Sequence, residues 1–232
     1  MKRQSKRIKE CYKSVDKNKV YEIKEAIEIL KKIPQPKFDQ SVELSFKLGI
    51  EAKKTEQLVR GNTVLPHGTG KEKRVLVFCE DKKIAQEAKN AGAEFVGFKE
   101  LIGKIEKGWL EFDAVICPPN VMRQVSKLGK ILGPRGLMPS PKAGTVTNEI
   151  AEAVKDVRKG KIEFKNDKDA GIHLAVGKVS FSPEKIEKNI LHLIKAVKEK
   201  KPSAAKGQYI QEAAISTTMG PGMKIICDAR SS

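Results

Sequence analysis

Residues 38–51 read FDQSVELSFKLGIE, and the alternation within that stretch decides the fold. Val42, Leu44, Phe46, Leu48 and Ile50 are interleaved with Ser41, Glu43, Ser45, Lys47 and Gly49. Successive side chains of a strand point to opposite faces, so the pattern predicts a half-buried strand with one dry and one polar face. Upstream, VYEIKEAIEILKKI (20–33) places Ile23, Ile27, Leu30 and Ile33 on one helical stripe, and Pro34 and Pro36 stop the helix. One helix and one long strand cannot enclose a core. The strand's neighbours must therefore come from elsewhere in the chain.

Suitable neighbours lie far downstream. IEFKNDKDAGIHLAVGKVSF (162–181) has turn residues at 166–171 between two strand-like pieces. Ser182-Pro183-Glu184 opens a helix whose stripe is Ile186, Ile190, Leu193 and Val197, ended by Pro202. QYIQEAAISTTMGPGMKIICDA (208–229) reads as two strands joined by a turn at Met219-Gly220-Pro221-Gly222.

The segment between has a different style. RVLVFCED (74–81), AEFVGF (93–98) and FDAVICPP (112–119) are short apolar strands. Asp81 caps a helix running through Ala91 with Ile84, Ala85 and Ala88 inward, Leu101, Ile102 and Ile105 mark a second helix, and 120–129 a third. Strands alternating with helices at this spacing predict a small parallel sheet with helices on its faces. A further helix, capped by Thr147 or Asn148, carries Ile150, Ala153, Val154 and Val157 and closes at Gly160. The expected fold class is therefore α/β and α+β in two domains. A discontinuous α+β domain comes from both termini (1–67 and 160–232), and an α/β domain (68–159) is inserted in it. The Gly/Pro-rich stretches 61–70 and 139–145 are read as the paired joints.

The 232 residues carry 46 Lys and Arg against 29 Asp and Glu, a formal net charge of +17. A balanced surface accounts for many charged residues but not for that excess, which points to a polyanionic partner, nucleic acid ahead of an anionic membrane. Cys11, Cys79, Cys117 and Cys227 form no C-x-x-C pair, and with His67, His173 and His192 they give no zinc spacing. Cys79 and Cys117 end apolar runs and read as buried, reduced thiols, which fits a cytoplasmic location. The basic N-terminus lacks the apolar core of a secretory signal, and no stretch is long and apolar enough to span a membrane.

Enzyme signatures are not found. Gly70-Lys71 resembles the end of a phosphate loop, but Leu65 stands where Gly is needed and Glu72 replaces Ser or Thr. The strand at 75–80 leads into DKKIAQ rather than a Gly-rich dinucleotide turn. No H-E-x-x-H, G-x-S-x-G or Cys/His nucleophile pattern is present. No catalytic residue, metal or cofactor is expected; a nucleotide-dependent enzyme using the α/β domain is the alternative. Gly133-Pro134-Arg135-Gly136 matches the RNA-clamping G-x-x-G of KH domains, but proline-rich chain follows it where KH requires a second helix.

Three polar groupings can meet RNA. On the free strand face, Ser41, Glu43 and Ser45 are short enough to let a backbone lie flat, and Lys37 and Phe38 precede them as a cation beside an aromatic. The STTMGPG turn (216–222) supplies hydroxyls, backbone N–H groups and a flexible Met. Lys165, Asn166, Asp167, Lys168 and His173 form the third. Each alone is compatible with an ordinary solvated surface. A fourth stretch, VMRQVSKLGKILGPRGLMPSP (121–141), is stiff and basic.

Together, KFDQSVELSFKLGIE, GKILGPRGLMPSPKAGTVT, FKNDKDAGIH and STTMGPG occur in the order found in one family. The chain resembles, over essentially its whole length, the bacterial large-subunit ribosomal protein L-one family, proteins of the mobile ribosomal stalk. The resemblance implies that the terminal α+β domain holds RNA and that the inserted domain is three-layered and Rossmann-like. It implies partners: 23S ribosomal RNA within the large ribosomal subunit, exit-site tRNA whose deacylated form the family helps release, and the chain's own operon messenger RNA, whose translation it represses. It further implies a monomer outside the ribosome. Carried onto this sequence, the RNA contacts are Lys37, Phe38, Ser41 and Glu43; Lys165, Asn166, Lys168 and His173; and Ser216, Thr217, Thr218, Met219 and Gly220. Lys130 and Arg135 are assigned a secondary RNA or tRNA contact. Ser140 stands where the family usually has Asn, and Gly222 where it often has Ser, which removes one hydroxyl from the turn.

Overall fold

The structure is a computed structural model that describes residues 5–227 except Lys17, Lys53 and Lys206. Two compact units emerge, residues 1–70 with 163–232, and residues 71–162. In chain order the first begins with α1 (Lys6–Lys13), β1 (Val20–Tyr21), α2 (Ile23–Lys32), β2 (Ser41–Leu48) and β3 (Arg60–Val64). The second holds β4 (Val75–Phe78), α3 (Lys82–Asn90), β5 (Phe95–Gly97), α4 (Lys99–Glu106), β6 (Ala114–Ile116), α5 (Met122–Val125), α6 (Gly129–Leu132) and α7 (Ile150–Lys159). Then come β7 (Lys161–Lys165), β8 (Gly171–Lys178), α8 (Pro183–Glu199), β9 (Ile210–Thr217) and β10 (Met223–Ile225).

The strand read from residues 38–51 is the hub of a five-stranded sheet ordered β1-β10-β9-β2-β8. Antiparallel neighbours from the C-terminal segment flank β2 on both sides, so its partners are those expected. Val42, Leu44, Phe46 and Leu48 are buried. Helices α2 and α8 pack together on that side of the sheet, and Leu30, Ile186, Ile190, Leu193 and Val197 supply their buried stripes. Two details differ from the sequence reading. Val20 and Tyr21, expected as helix, pair in parallel with Lys224 and Ile225. Helix α1 was not anticipated; Ser5 caps it through a bond from the Ile8 N–H. Asp228 and Ala229, expected at the end of the last strand, lie outside the described residues.

In the second unit, β4 is the middle of the parallel sheet β5-β4-β6. Leu76 and Phe78 face a cluster with Leu101, Ile105, Val121, Val125, Leu128 and Leu132. Val75 and Val77 face Ala88, Ile150, Val154 and Val157. Helices thus cover both sides, and the all-buried strand β4 is the apolar run such a sheet requires. Asp81 Oδ1 accepts from the Lys83 N–H at the start of α3, and Gly160 (φ +106°) ends α7 in the left-handed region.

Two readings are corrected. The expected helix 120–129 is a series of short α and 3-10 turns from Pro119 to Leu132. Ser126 Oγ donates to the Met122 carbonyl at 2.8 Å, a back-bond that bends a helix, and Gly129 and Gly133 interrupt it further. Residues 139–145 are not a joint but are tied into the second unit. Ser140 N–H donates to Thr145 Oγ1 (2.8 Å), Cys117 N–H to the Thr145 carbonyl (3.1 Å) and Thr147 N–H to the Cys117 carbonyl (3.2 Å). Of the other stretch, 61–64 lie in β3, which pairs with β7, and Asn189 holds 67–68.

Candidate nucleic-acid interface

The open face of the five-stranded sheet is set by register. Residues paired across strands point to the same side. Ser41 is opposite Lys178; Glu43 lies between Ala175 and Ser216; Ser45 lies between His173 and Ala214; Lys47 lies between Gly171 and Glu212. Lys224 continues the row from Ala214. A register shift between Val42 and Glu43 leaves Val176 unpaired and buried, which brings Lys178 to the open side. The face is therefore a floor of small residues, Ala175, Ala214 and Gly171, studded with hydroxyls and cations.

Polar contacts organise this face. Lys178 Nζ donates to Ser41 Oγ (3.0 Å), and His173 Nδ1 lies 2.9 Å from Ser45 Oγ. Lys224 pairs with Glu212 at 2.9 Å, and Lys47 Nζ donates to the Asp169 carbonyl.

A turn stands at each end of β2. At the start, Thr218 N–H donates to the Ser41 carbonyl (3.1 Å) and Ser41 N–H to Thr218 Oγ1 (3.1 Å), locking the STTMG turn to the strand. At the end, Leu48 N–H donates to the Ala170 carbonyl (2.9 Å), fixing turn 166–170. Seven steps of strand separate them by roughly 23 Å at about 3.3 Å per residue. That is enough for several nucleotides.

Asp167 builds the second turn. Its Oδ1 accepts from Gly171 N–H (2.6 Å) and Asp169 N–H (2.9 Å), and Oδ2 lies 3.6 Å from His173 Nε2. The Gly171 amide first, then the Asp169 amide and His173, hold its carboxyl below the ordinary 3.8. Ala170 takes a left-handed φ of +61° there.

The structure sorts the residues singled out from the sequence. Lys37, Lys165, Lys168, His173 and Thr218 are exposed, and Ser41, Glu43, Ser216 and Gly220 half-buried. Phe38 is 53% and Met219 48% exposed, unusual for large apolar side chains. Two behave otherwise. Asn166 is 4% exposed and its amide serves the backbone: Oδ1 accepts from Val59 N–H (2.8 Å) and Nδ2 donates to the Asp167 carbonyl (2.9 Å). Thr217 is 2% exposed, and its Oγ1 has no partner among the described residues. Gly220 is required beside it, since a Cβ would stand 2.2 Å from that oxygen. Lys130 and Arg135 are exposed but belong to the second unit.

Lys47, Lys178 and Lys224 join the site through strand register, and Arg7 and Gln40 through bonds to the Met219 carbonyl and N–H. The alternation of 41–47 already placed Lys47 on this face; the others needed cross-strand register or tertiary contact. Among the described residues no helix is long and apolar enough to cross a membrane, and no group of three or more His, Cys, Asp or Glu could hold a metal ion.

Comparison with known proteins gives this geometry a family. The chain is 52% identical over 225 residues to the large ribosomal subunit protein uL1 of Kosmotoga olearia, covering 97% of each sequence. It is 54% identical over 225 residues to the protein of that name from Protochlamydia amoebophila, covering 97% of this chain and 95% of the relative. Residues 30–221 match the Ribosomal protein L1p/L10e family, and the chain belongs to that family.

Proposed function

We propose that this chain is a structural component of the large ribosomal subunit that binds 23S ribosomal RNA across the open face of its five-stranded sheet. The single observation that carries the reading is that face: helices cover one side of the sheet, while the other presents hydroxyls and cations between two pinned turns. Short side chains let a ribose-phosphate backbone lie against strands, and hydroxyls and backbone groups meet its 2′-OH and phosphates. Ser41 stands opposite Lys178, Glu43 and Ser216 share the next row and Ser45 and His173 the one after, with Lys37, Phe38, Thr218 and Met219 beyond one end and Lys165 and Lys168 at the other. Asn166, Thr217 and Gly220 shape the turns.

The two units are, in this reading, an RNA-holding domain interrupted by a domain with a three-layer Rossmann-like arrangement. The second domain offers Lys130 and Arg135 to a further RNA or tRNA contact. The protein sits on the ribosomal stalk in the cytoplasm, assists release of deacylated tRNA from the exit site, and represses its own messenger RNA when that RNA imitates the ribosomal site. It is monomeric off the ribosome and is not an enzyme. The nucleotide-using alternative is disfavoured by the start of α3, where the Asp81 carboxylate already takes the amide and places negative charge where a phosphate would have to sit.

Footprinting on 23S ribosomal RNA tests the reading. Protection of one structured element is the expected result. Protection spread evenly along the RNA would show a non-specific polycation instead.

A further inference from the structure

We propose that helix α1 is a positioning element for the RNA-facing turn, with Arg7 as the residue that does it. The inference rests on the RNA reading of that face. Met219 is held by side chains from other parts of the chain at both its N–H and its carbonyl, in the two peptide units that flank its Cα. Its N–H donates to Gln40 Oε1 (2.8 Å), and its carbonyl accepts from Arg7 Nη2 (3.0 Å). The other arm of the same guanidinium, Nη1, donates to the Pro34 carbonyl (3.2 Å). One Arg therefore ties the turn at 219 to the segment that leads into β2.

The rest of the network is fixed in turn. Gln40 is 1% exposed and donates to Gln35 Oε1, while Gln35 Nε2 donates to the carbonyls of Leu30 (2.7 Å) and Ile33 (3.1 Å) at the end of α2. Helix α1 is seated by Cys11, which is buried and donates weakly to the Pro34 carbonyl (3.8 Å). The Met219 side chain stays half exposed on a backbone pinned at its N–H and its carbonyl. A flexible apolar side chain on a rigid base loses less conformational entropy on binding than one on a mobile loop. A planar guanidinium can donate to two carbonyls in fixed geometry; a lysine ammonium on a flexible stem does not reproduce that fork.

The full chain and its Arg7→Ala and Arg7→Lys variants test this in two ways. Without RNA, amide hydrogen exchange across 217–220 is expected to accelerate in both variants, with the strands unchanged. With RNA, affinity for 23S ribosomal RNA is expected to fall about tenfold in both, by the loss of a charge-assisted bond. Affinity for polyuridine and the salt slope on 23S RNA should not move, because the Arg7 N–H groups that form the clamp meet backbone carbonyls rather than phosphate. Exchange unchanged in Arg7→Ala overturns the clamp. Full affinity in Arg7→Lys, or a salt slope shallower by about 0.7–0.9 in Arg7→Ala, overturns it in favour of a direct phosphate contact. If the unmodified chain fails to prefer 23S RNA over polyuridine, the interface reading fails, and with it the RNA role of the clamp, while exchange still reports whether Arg7 holds the turn.

Discussion

Thr217 is a turn residue whose hydroxyl faces inward, with Gly220 packed against it. A buried hydroxyl without a partner costs free energy, so Thr217→Val is expected to stabilise the free protein by about 1 kcal/mol, seen as a higher urea midpoint. If RNA supplies the missing partner by drawing the turn open, the same variant binds 23S RNA more weakly. Unchanged affinity would make Thr217 purely internal. Gly220→Ala is expected to displace the turn, because its Cβ meets Thr217 Oγ1 at 2.2 Å. Weaker specific RNA binding with little change in non-specific binding is the measurement that checks it. The small size of Gly220 was visible in the sequence; the oxygen that demands it was not.

At the scale of elements, turn 166–171 and the segment at 67–68 are each organised by one polar side chain. Asp167 is held below 3.8 by the Gly171 amide first, so its contribution is complete above the unfolded value. It is lost as pH falls from that value through the lower folded one. An NMR titration should show the amides of Asp169 and Gly171 shifting with a midpoint below the ordinary 3.8, while those of β2 stay fixed. Asn189 is fully buried in α8, donating to the carbonyls of Gly68 (2.9 Å) and Val176 (2.8 Å) and accepting from His67 N–H (3.1 Å). Asn189→Ala leaves these groups unpaired and is expected to cost about 3 kcal/mol in chemical denaturation. The Ser182-Pro183-Glu184 start and the apolar stripe predicted α8 itself, whereas nothing local marks Asn189 as more than a polar residue beside that stripe.

Across the whole molecule, the charge of +17 is the property to measure. If Lys37, Lys165, Lys168 and Lys178 each neutralise one phosphate, log affinity should fall against log salt with a slope of roughly −3 to −4. A slope near zero would remove the electrostatic basis of the reading. The proposed domain division has its own test. Residues 71–162 are continuous and carry two clusters of buried apolar side chains about one sheet. That piece is expected to melt cooperatively alone, and the remaining residues joined by a short Gly-Ser linker to retain specific RNA binding. Non-cooperative melting of either piece would mean that the units are not independent domains.

The sequence by itself determined most of the local alternatives, though not β1, helix α1 or the broken turns at 119–132: which long stretches are strands or helices, where Pro and Gly stop them, and that one face of β2 is polar. Those follow from side-chain periodicity and backbone chemistry, which need no distant partner. It also showed that β2 required strands from the far end of the chain. The tertiary structure decided the rest. Cross-strand register put Lys178, His173 and Lys224 in rows with Ser41, Ser45 and Ala214, and burial turned Asn166 and Thr217 inward. Packing brought Arg7 to Met219 across most of the chain's length. Register and long-range contact depend on how whole elements pack against a shared core, and no short window of sequence encodes that arrangement.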